Sequence, residues 1–165
     1  MVDVTREHTF DAPIAKVWKM FHDPASHAAK FTNMGHRDLE VIDTELTDDA
    51  LTITISRLVD TDLPGFAKKV LKPTNTVVSV DTWKDNGDGT YGGTFSADTK
   101  GAPIKVAGTT RLTADGKKQT HYVVTTSINV KIPLIGGKIA DFSKGIIDQQ
   151  MDDEFRLGDE WLAGH

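Results

Sequence analysis

The C-terminal stretch from Pro133 to His165 constrains the fold more than any other part of the chain. It opens with Pro133-Leu134-Ile135-Gly136-Gly137-Lys138 and then runs to the end with neither a proline nor a turn pair. At 1.5 Å per residue, Lys138 to Leu162 makes a helix of roughly 37 Å, long enough to cross a small domain. One face of its wheel is polar throughout: Lys138, Asp141, Asp148, Gln149, Asp152, Asp153, Arg156, Asp159 and Glu160. The wider opposite arc carries Ile139, Phe142, Ile146, Ile147, Met151, Phe155, Leu157, Trp161 and Leu162. The middle of that apolar arc holds Ser143, Gln150 and Glu154, spaced 7 and 4 residues apart. A dry core does not take a Gln and a Glu without partners. The helix is therefore expected to cover something other than close-packed protein.

The rest of the chain says what the helix can cover. Val2 to Phe10 alternates, with Val4, Arg6, His8 and Phe10 on one side, and reads as a first strand. Asp11-Ala12-Pro13 starts a helix, with Asp11 or Ala12 near the cap and Pro13 in the first turn. Ile14, Val17, Trp18 and Phe21 follow at helical spacing, and His22-Asp23-Pro24 ends it. A second short helix spans Ala25 to Phe31. The period then changes to two. Leu39 and Val41 lead to Leu46, and Leu51, Ile53 and Ile55 alternate with polar residues. Further strands are expected at Thr76–Trp83, Thr90–Ala97, from Ile104 to Leu112, and at Gln119–Ile132. The order is one strand, two helices, about six antiparallel strands and one long helix. That is an α+β pattern in a single domain, 1–165, with helices segregated from an antiparallel meander. A curved sheet of this kind, closed by one helix, leaves an elongated interior between them. Polar residues on the inner helix face then have a purpose.

Composition narrows the function. A net charge of −5 argues against nonspecific nucleic-acid binding. The chain has no cysteine, which excludes disulfides, a thiol nucleophile and thiolate metal sites, and suits a cytoplasmic protein. The first residues lack the basic segment and apolar run of a signal peptide, and no apolar run approaches the ~20 residues of a membrane span.

Two motifs need rejecting. Gly87-x-Gly89-x-x-Gly92 matches a dinucleotide fingerprint, but a strand follows it where the fingerprint needs a helix. Asn-Gly and Asp-Gly chemistry makes Asp85-Asn86-Gly87-Asp88-Gly89 a hairpin turn instead. Read as a calcium loop, the same segment puts Lys84 and Phe95 where oxygen ligands are required. The histidines make no His-Glu-x-x-His pair, and no nucleophile elbow is present, so no metal and no cofactor are expected.

Several stretches resemble the START-like superfamily (SRPBCC), also called birch-pollen-allergen-like or helix-grip. They are Phe10-Asp11-Ala12-Pro13-Ile14-Ala15-Lys16-Val17-Trp18, Leu63-Pro64-Gly65-Phe66-Ala67-Lys68-Lys69, Lys131-Ile132-Pro133-Leu134-Ile135-Gly136-Gly137-Lys138 and Glu160-Trp161-Leu162. The likeness covers nearly the whole chain and is greatest to an uncharacterised bacterial branch. It implies a helix-grip fold, a curved antiparallel sheet of six or seven strands wrapped around the long C-terminal helix. Members elsewhere bind or move lipids, sterols and other apolar ligands, or act as polyketide cyclases and aromatases. The branch brings no catalytic motif, so the resemblance implies a pocket and not a reaction.

On this reading the protein binds an apolar small molecule or lipid between the sheet and the last helix. Tyr91, Phe95, Val106, Tyr122, Val124, Phe142, Ile146 and Ile147 are the candidate walls. Ser143, Gln150 and Glu154 are the candidate polar contacts. Arg57 shares the face of Leu51, Ile53 and Ile55 and has two readings. It pairs with an anionic ligand group inside, or it lies at a strand end with its head in water. Asp81 and Trp83 share a face whose direction the pattern leaves open. A rival reading is an enzyme of cyclase type, with Glu154, His8 or Tyr122 as acid or base. A third is an interaction module with a vestigial pocket. Phe66 to Leu71 reads as a short helix, either a plain surface element or a lid in which Phe66, Val70 and Leu71 close the mouth. Lys68, Lys69 and Lys72 then offer transient contact with an anionic ligand or membrane surface, too weak for stable anchoring.

Overall fold

Each strand is set by its alternation, and each turn by the residues that interrupt it. The computed structural model describes all 165 residues. β1 (Val2–Phe10) is followed by α1 (Ile14–His22) and α2 (Pro24–Asn33). Six strands come next: β2 (Arg37–Thr47), β3 (Ala50–Asp60), β4 (Thr74–Asp85), β5 (Tyr91–Thr99), β6 (Ile104–Asp115) and β7 (Gln119–Val130). The chain ends in α3 (Gly136–Gly164), a helix of 29 residues. All neighbouring strands run antiparallel in the order β1-β7-β6-β5-β4-β3-β2. This is the helix-grip fold. No helix is long and apolar enough to cross a membrane.

Local chemistry explains the helix boundaries. Asp23 closes α1 and its carboxylate accepts a hydrogen bond from the Ala25 amide at 3.0 Å, so one residue ends one helix and caps the next. Pro24 occupies the first turn of α2, where its missing N–H costs nothing. Pro13 is itself the cap of α1, one position later than the sequence pattern suggests. The buried Thr120 hydroxyl donates to the Ala12 carbonyl at 2.8 Å and ties the β1–α1 junction to β7. Gly87 and Gly89 both take positive φ in the β4–β5 hairpin, and β5 follows directly, as the rejection of the dinucleotide fingerprint requires.

Two regions differ from the sequence reading. The expected helix Phe66–Leu71 is only a single 3-10 turn, Ala67–Lys69, because Pro64 and Gly65 before it and Pro73 after it leave no room to propagate one. β2 is an edge strand, and Val41, Ile42 and Leu46 on it are 44%, 54% and 51% exposed, so it adds little to the core.

α3 lies along the concave side of the sheet and is fastened most firmly over its C-terminal half. Phe10, Met20, Tyr122, Met151, Phe155 and Leu162 share one buried cluster. Three carboxylates on the helix face that the wheel assigned to solvent are taken by the edge strand β1. Arg6 binds the Asp148 carbonyl at 3.0 Å and its carboxylate at 3.4 Å, and also the Asp152 carboxylate, and His8 pairs with Asp159 at 3.0 Å. Lys16 of α1 donates to the Leu162 carbonyl at 2.8 Å, a favourable place for a cation near a helix C-terminus.

Close approach of α3 to Phe10 depends on Gly158. A Cβ there would meet the Phe10 ring at 2.8 Å, and that ring is itself held against Tyr122 and Phe21. Gly145, in the same helix, has nothing within 4 Å of its would-be Cβ. The two glycines should therefore respond oppositely. Gly145→Ala should stabilise the protein by up to about 1 kcal/mol through helix propensity. Gly158→Leu should destabilise it by about 1–3 kcal/mol or more through overpacking. Urea unfolding of both variants checks this, and equal responses would contradict the packing described.

Candidate functional site

Strand register decides which side chains face α3. Leu51, Ile53, Ile55 and Arg57 of β3 sit opposite Trp83, Asp81, Ser79 and Val77 of β4, so these four β4 residues face inward with them. Asp81 and Trp83 therefore point under the helix, and Val78 and Val80 point away. Phe95 and Ala97 of β5 continue the row from Asp81 and Ser79. On β6 and β7 it continues through Val106, Thr110, Tyr122, Val124 and Thr126.

Between this concave face and α3 lie three adjoining spaces. The first, about 260 Å³, is bounded by α1, α2 and the C-terminal half of α3, with Phe21, His27, Lys30, Tyr122, Glu154 and Trp161 around it. The second, about 110 Å³, lies over the middle of the sheet and shares Phe21, His27, Lys30, Tyr122 and Glu154 with the first. The third, about 140 Å³, lies towards the loop after β3 and shares Arg57, Ala97, Val106, Ile147 and Gln150 with the second. Glu154 and Gln150 therefore stand at the two junctions of one elongated interior, and Ser143 lies at its far end. This is the structural reason for polar residues in the apolar arc of α3.

The interior also gathers charge. Arg57 is only 7% exposed, so its head is not in water. Its Nη1 donates to the Ser79 hydroxyl at 2.7 Å, its Nε donates to His36 Nδ1 at 3.0 Å, and its guanidinium lies 3.8 Å from the centre of the Phe31 ring. Burial pushes its pKa down to about 10, so it stays cationic at neutral pH. Because Nε–H can only donate, His36 Nδ1 must be bare. Burial, aided by the charge of Arg57, pushes the His36 pKa down to about 4. His27 is 3% exposed and its Nε2 donates to the Phe21 carbonyl at 2.7 Å. Its Nδ1 is then a free acceptor, 4.0 Å from Asp81 Oδ2. Burial holds the His27 pKa below its ordinary value. Lys30 pairs with Glu154 at 3.4 Å. Burial, reinforced by the negative charges of Glu154 and Asp81, raises the Tyr122 phenol well above its ordinary range.

The other candidates separate into those inside and those outside. Phe95, Val106, Tyr122, Val124, Ser143, Ile146, Ile147, Gln150 and Glu154 border the three spaces. Tyr91 does not: its ring stacks on Trp18 at 4.6 Å beneath α1. Phe142 does not either, and packs edge-on against Phe66 with ring centres 6.3 Å apart. His8 stacks on Phe155 at 4.7 Å and pairs with Asp159, outside the interior. Of the lid residues, Leu71 borders the third space, Val70 joins the apolar cluster around Ala67 and Ile139, and Phe66 is 36% exposed. Lys68, Lys69 and Lys72 are exposed. His27, Lys30 and His36 were not candidates in the sequence. The available signal was His27 and Lys30 at i and i+3 on one helix, directly before Phe31.

The buried imidazoles set a pH dependence. Both bind a proton less readily in the folded chain than in the unfolded one, where a histidine titrates near 6.5. Unfolding in mild acid therefore takes up protons. The contribution is fully present above about pH 6.5 and is lost as pH falls towards about 4. Carboxylates held low by partners, such as Asp60 beside Arg37, act only at lower pH. Urea unfolding between pH 7 and 4.5 should show this slope, and His36→Gln should reduce it by up to about one proton. An unchanged slope in the variant would contradict the buried neutral assignment.

Similar folds are known. The aromatase/cyclase ZhuI from Streptomyces sp. R1128 superposes with a TM-score of 0.68 at 16% identity, covering 98% of this chain and 93% of that one. Human STARD10 superposes with a TM-score of 0.64 at 15% identity, covering 99% of this chain and 66% of that one. Ara h 8.0201 does so with a TM-score of 0.61 at 18% identity, covering 99% of each. At these identities the likeness shows the fold alone. No curated protein matches the sequence. The family described as "Protein of unknown function (DUF2505)" matches residues 5–162, and this chain belongs to it.

Proposed function

We propose that this protein binds and carries an apolar small molecule in the space between the sheet and α3. The observation that carries the proposal is the elongated interior itself, walled by aliphatic and aromatic side chains with Ser143, Gln150 and Glu154 spaced along it. Ser143 and Gln150 make no side-chain hydrogen bond within the protein, which in a sealed core would be costly. Such a mixture, mostly apolar with a few polar groups that fix orientation, is what small-molecule sites use. Leu71 at the edge of the third space, with Phe66 beside Phe142, supports a lid role for the loop after β3. The exposed Lys68, Lys69 and Lys72 on that loop suit a transient contact with an anionic surface during loading.

An enzymatic role has one observation in its favour. His27 Nδ1 and Asp81 face each other across 4.0 Å, and both residues line a space that Tyr122 and Glu154 also border. This could serve proton transfer on a bound substrate, as in the cyclase class to which ZhuI belongs. Turnover of a polyketide-like substrate that vanishes in Glu154→Gln would establish that reading over the carrier.

Ser143→Phe tests the pocket directly. In a close-packed interior a new ring costs about 1–3 kcal/mol. Entering the third space, it should change stability by less than about 1 kcal/mol, because the volume is already there. Binding of Nile red, a neutral apolar fluorophore, should fall in the same variant. Strong destabilisation together with no fluorophore binding by the wild-type protein would overturn the carrier reading. The lid has its own test: hydrogen exchange over residues 65–72 should slow when an apolar ligand saturates the protein, and unchanged exchange would remove the lid role alone.

A further inference from the structure

Arg57 is a buried cation that the protein only partly satisfies. A guanidinium has five N–H donors. Two are used, one by Ser79 and one by His36, both neutral partners. Nη2 has no protein partner, and no carboxylate forms an ion pair with the group. Asp81 and Glu154 act on it only from a distance, and both border the middle space. The third space is different. Arg57 is its only ionisable lining residue, and no acidic side chain borders it. The half-buried Gln150 borders the same two spaces as Arg57, and its amide also has no hydrogen bond in the protein. Most of the remaining wall is aliphatic, with Ile104, Val106, Ile146 and Ile147 leading towards Leu71, and its other polar groups, Thr61, Asn75, Thr99 and Ser143, are uncharged.

We propose that the third space is a monocarboxylate site: the ligand's carboxylate meets Arg57 and Gln150, and its apolar body lies along Ile104, Val106, Ile146 and Ile147. This rests on the carrier reading and narrows its ligand class. A desolvated guanidinium with free donors is best met by an oxygen anion, and a planar carboxylate matches its fork. An alcohol of the same length offers one oxygen and no charge. An amine brings a second cation beside Arg57. The site should therefore rank an acid above an alcohol and an alcohol above an amine of equal chain length.

Calorimetric titration of the 165-residue chain with sodium octanoate, 1-octanol and octylamine tests the ranking. Octanoate should bind at least about tenfold more tightly than 1-octanol, the gain expected of a charge-assisted contact, and octylamine should bind weakest. In Arg57→Gln the advantage of octanoate over octanol should disappear while octanol still binds. Gln150→Leu, which leaves the contacts of Arg57 to Ser79 and His36 intact, should reduce the same advantage several-fold; it keeps the proposal testable if Arg57→Gln does not fold. Equal binding of acid and alcohol by the wild-type protein would overturn the carboxylate site while leaving the carrier reading standing. So would an acid preference that persists in Gln150→Leu and Arg57→Gln. Binding of none of the three compounds would overturn the carrier reading itself, and this inference with it.

Discussion

The structure depends on how α3 is held against a curved sheet. Over its C-terminal half the helix comes close, because Gly158 lets the Phe10 ring sit against its backbone. Phe155 and Leu162 join the same buried cluster as Phe10 and Tyr122. Arg6 and His8 of the edge strand fasten the flank of the helix through Asp148, Asp152 and Asp159. The first turns of the helix are anchored as well, with Ile139 buried against Ala67 and Ile104, so the unfilled space lies along the middle of the helix. There the small Ser143 and the half-buried Gln150, which has no protein partner, line the third space. The interior is thus a consequence of where the helix packs well and where its sequence keeps it from doing so.

Within that interior, charge is arranged along the axis. Towards α1 and α2, Lys30 faces Glu154 as an ion pair, and a neutral His27 lies beside Asp81 over the middle of the sheet. The third space, towards Leu71, has Arg57 as its only charged lining residue. A buried cation is retained at the cost of its hydration, and Phe31, Ser79 and His36 offset only part of that cost. His36 can accept from Arg57 only while neutral, so one histidine holds the guanidinium in place as long as the surroundings are not acidic. The asymmetry gives the interior a polar reference point and an apolar direction, which would orient cargo under the proposed carrier role.

Much of this was legible in the sequence. The period of two fixed most strands, the Asp-Ala-Pro and His-Asp-Pro junctions bounded the short helices, and the polar residues in the apolar arc of α3 announced the interior. What was not legible had physical causes. Strand parity or a helical wheel assigns a face but not a depth, so Tyr91 on β5 and Phe142 on α3, though on the expected faces, lie outside the three spaces. The depth of Arg57 depends on α2 laying Phe31 across it, a contact between elements 26 residues apart (57 minus 31) that no local pattern encodes. His27 and Lys30 became part of the site only when α2 docked beside α3. Asp148, Asp152 and Asp159 read as solvent-facing because the position of β1 alongside the helix follows from the closure of the sheet, not from the helix sequence.

The central claim is that the interior is a binding space and not an imperfect core. Native mass spectrometry of protein purified without detergent tests it most directly, first as isolated and then after incubation with a mixture of an aliphatic acid, a sterol and an aromatic compound. The account predicts the 18.0 kDa chain carrying one small apolar molecule, lost at modest collision energy. The bare chain alone, both as isolated and after incubation, would contradict it.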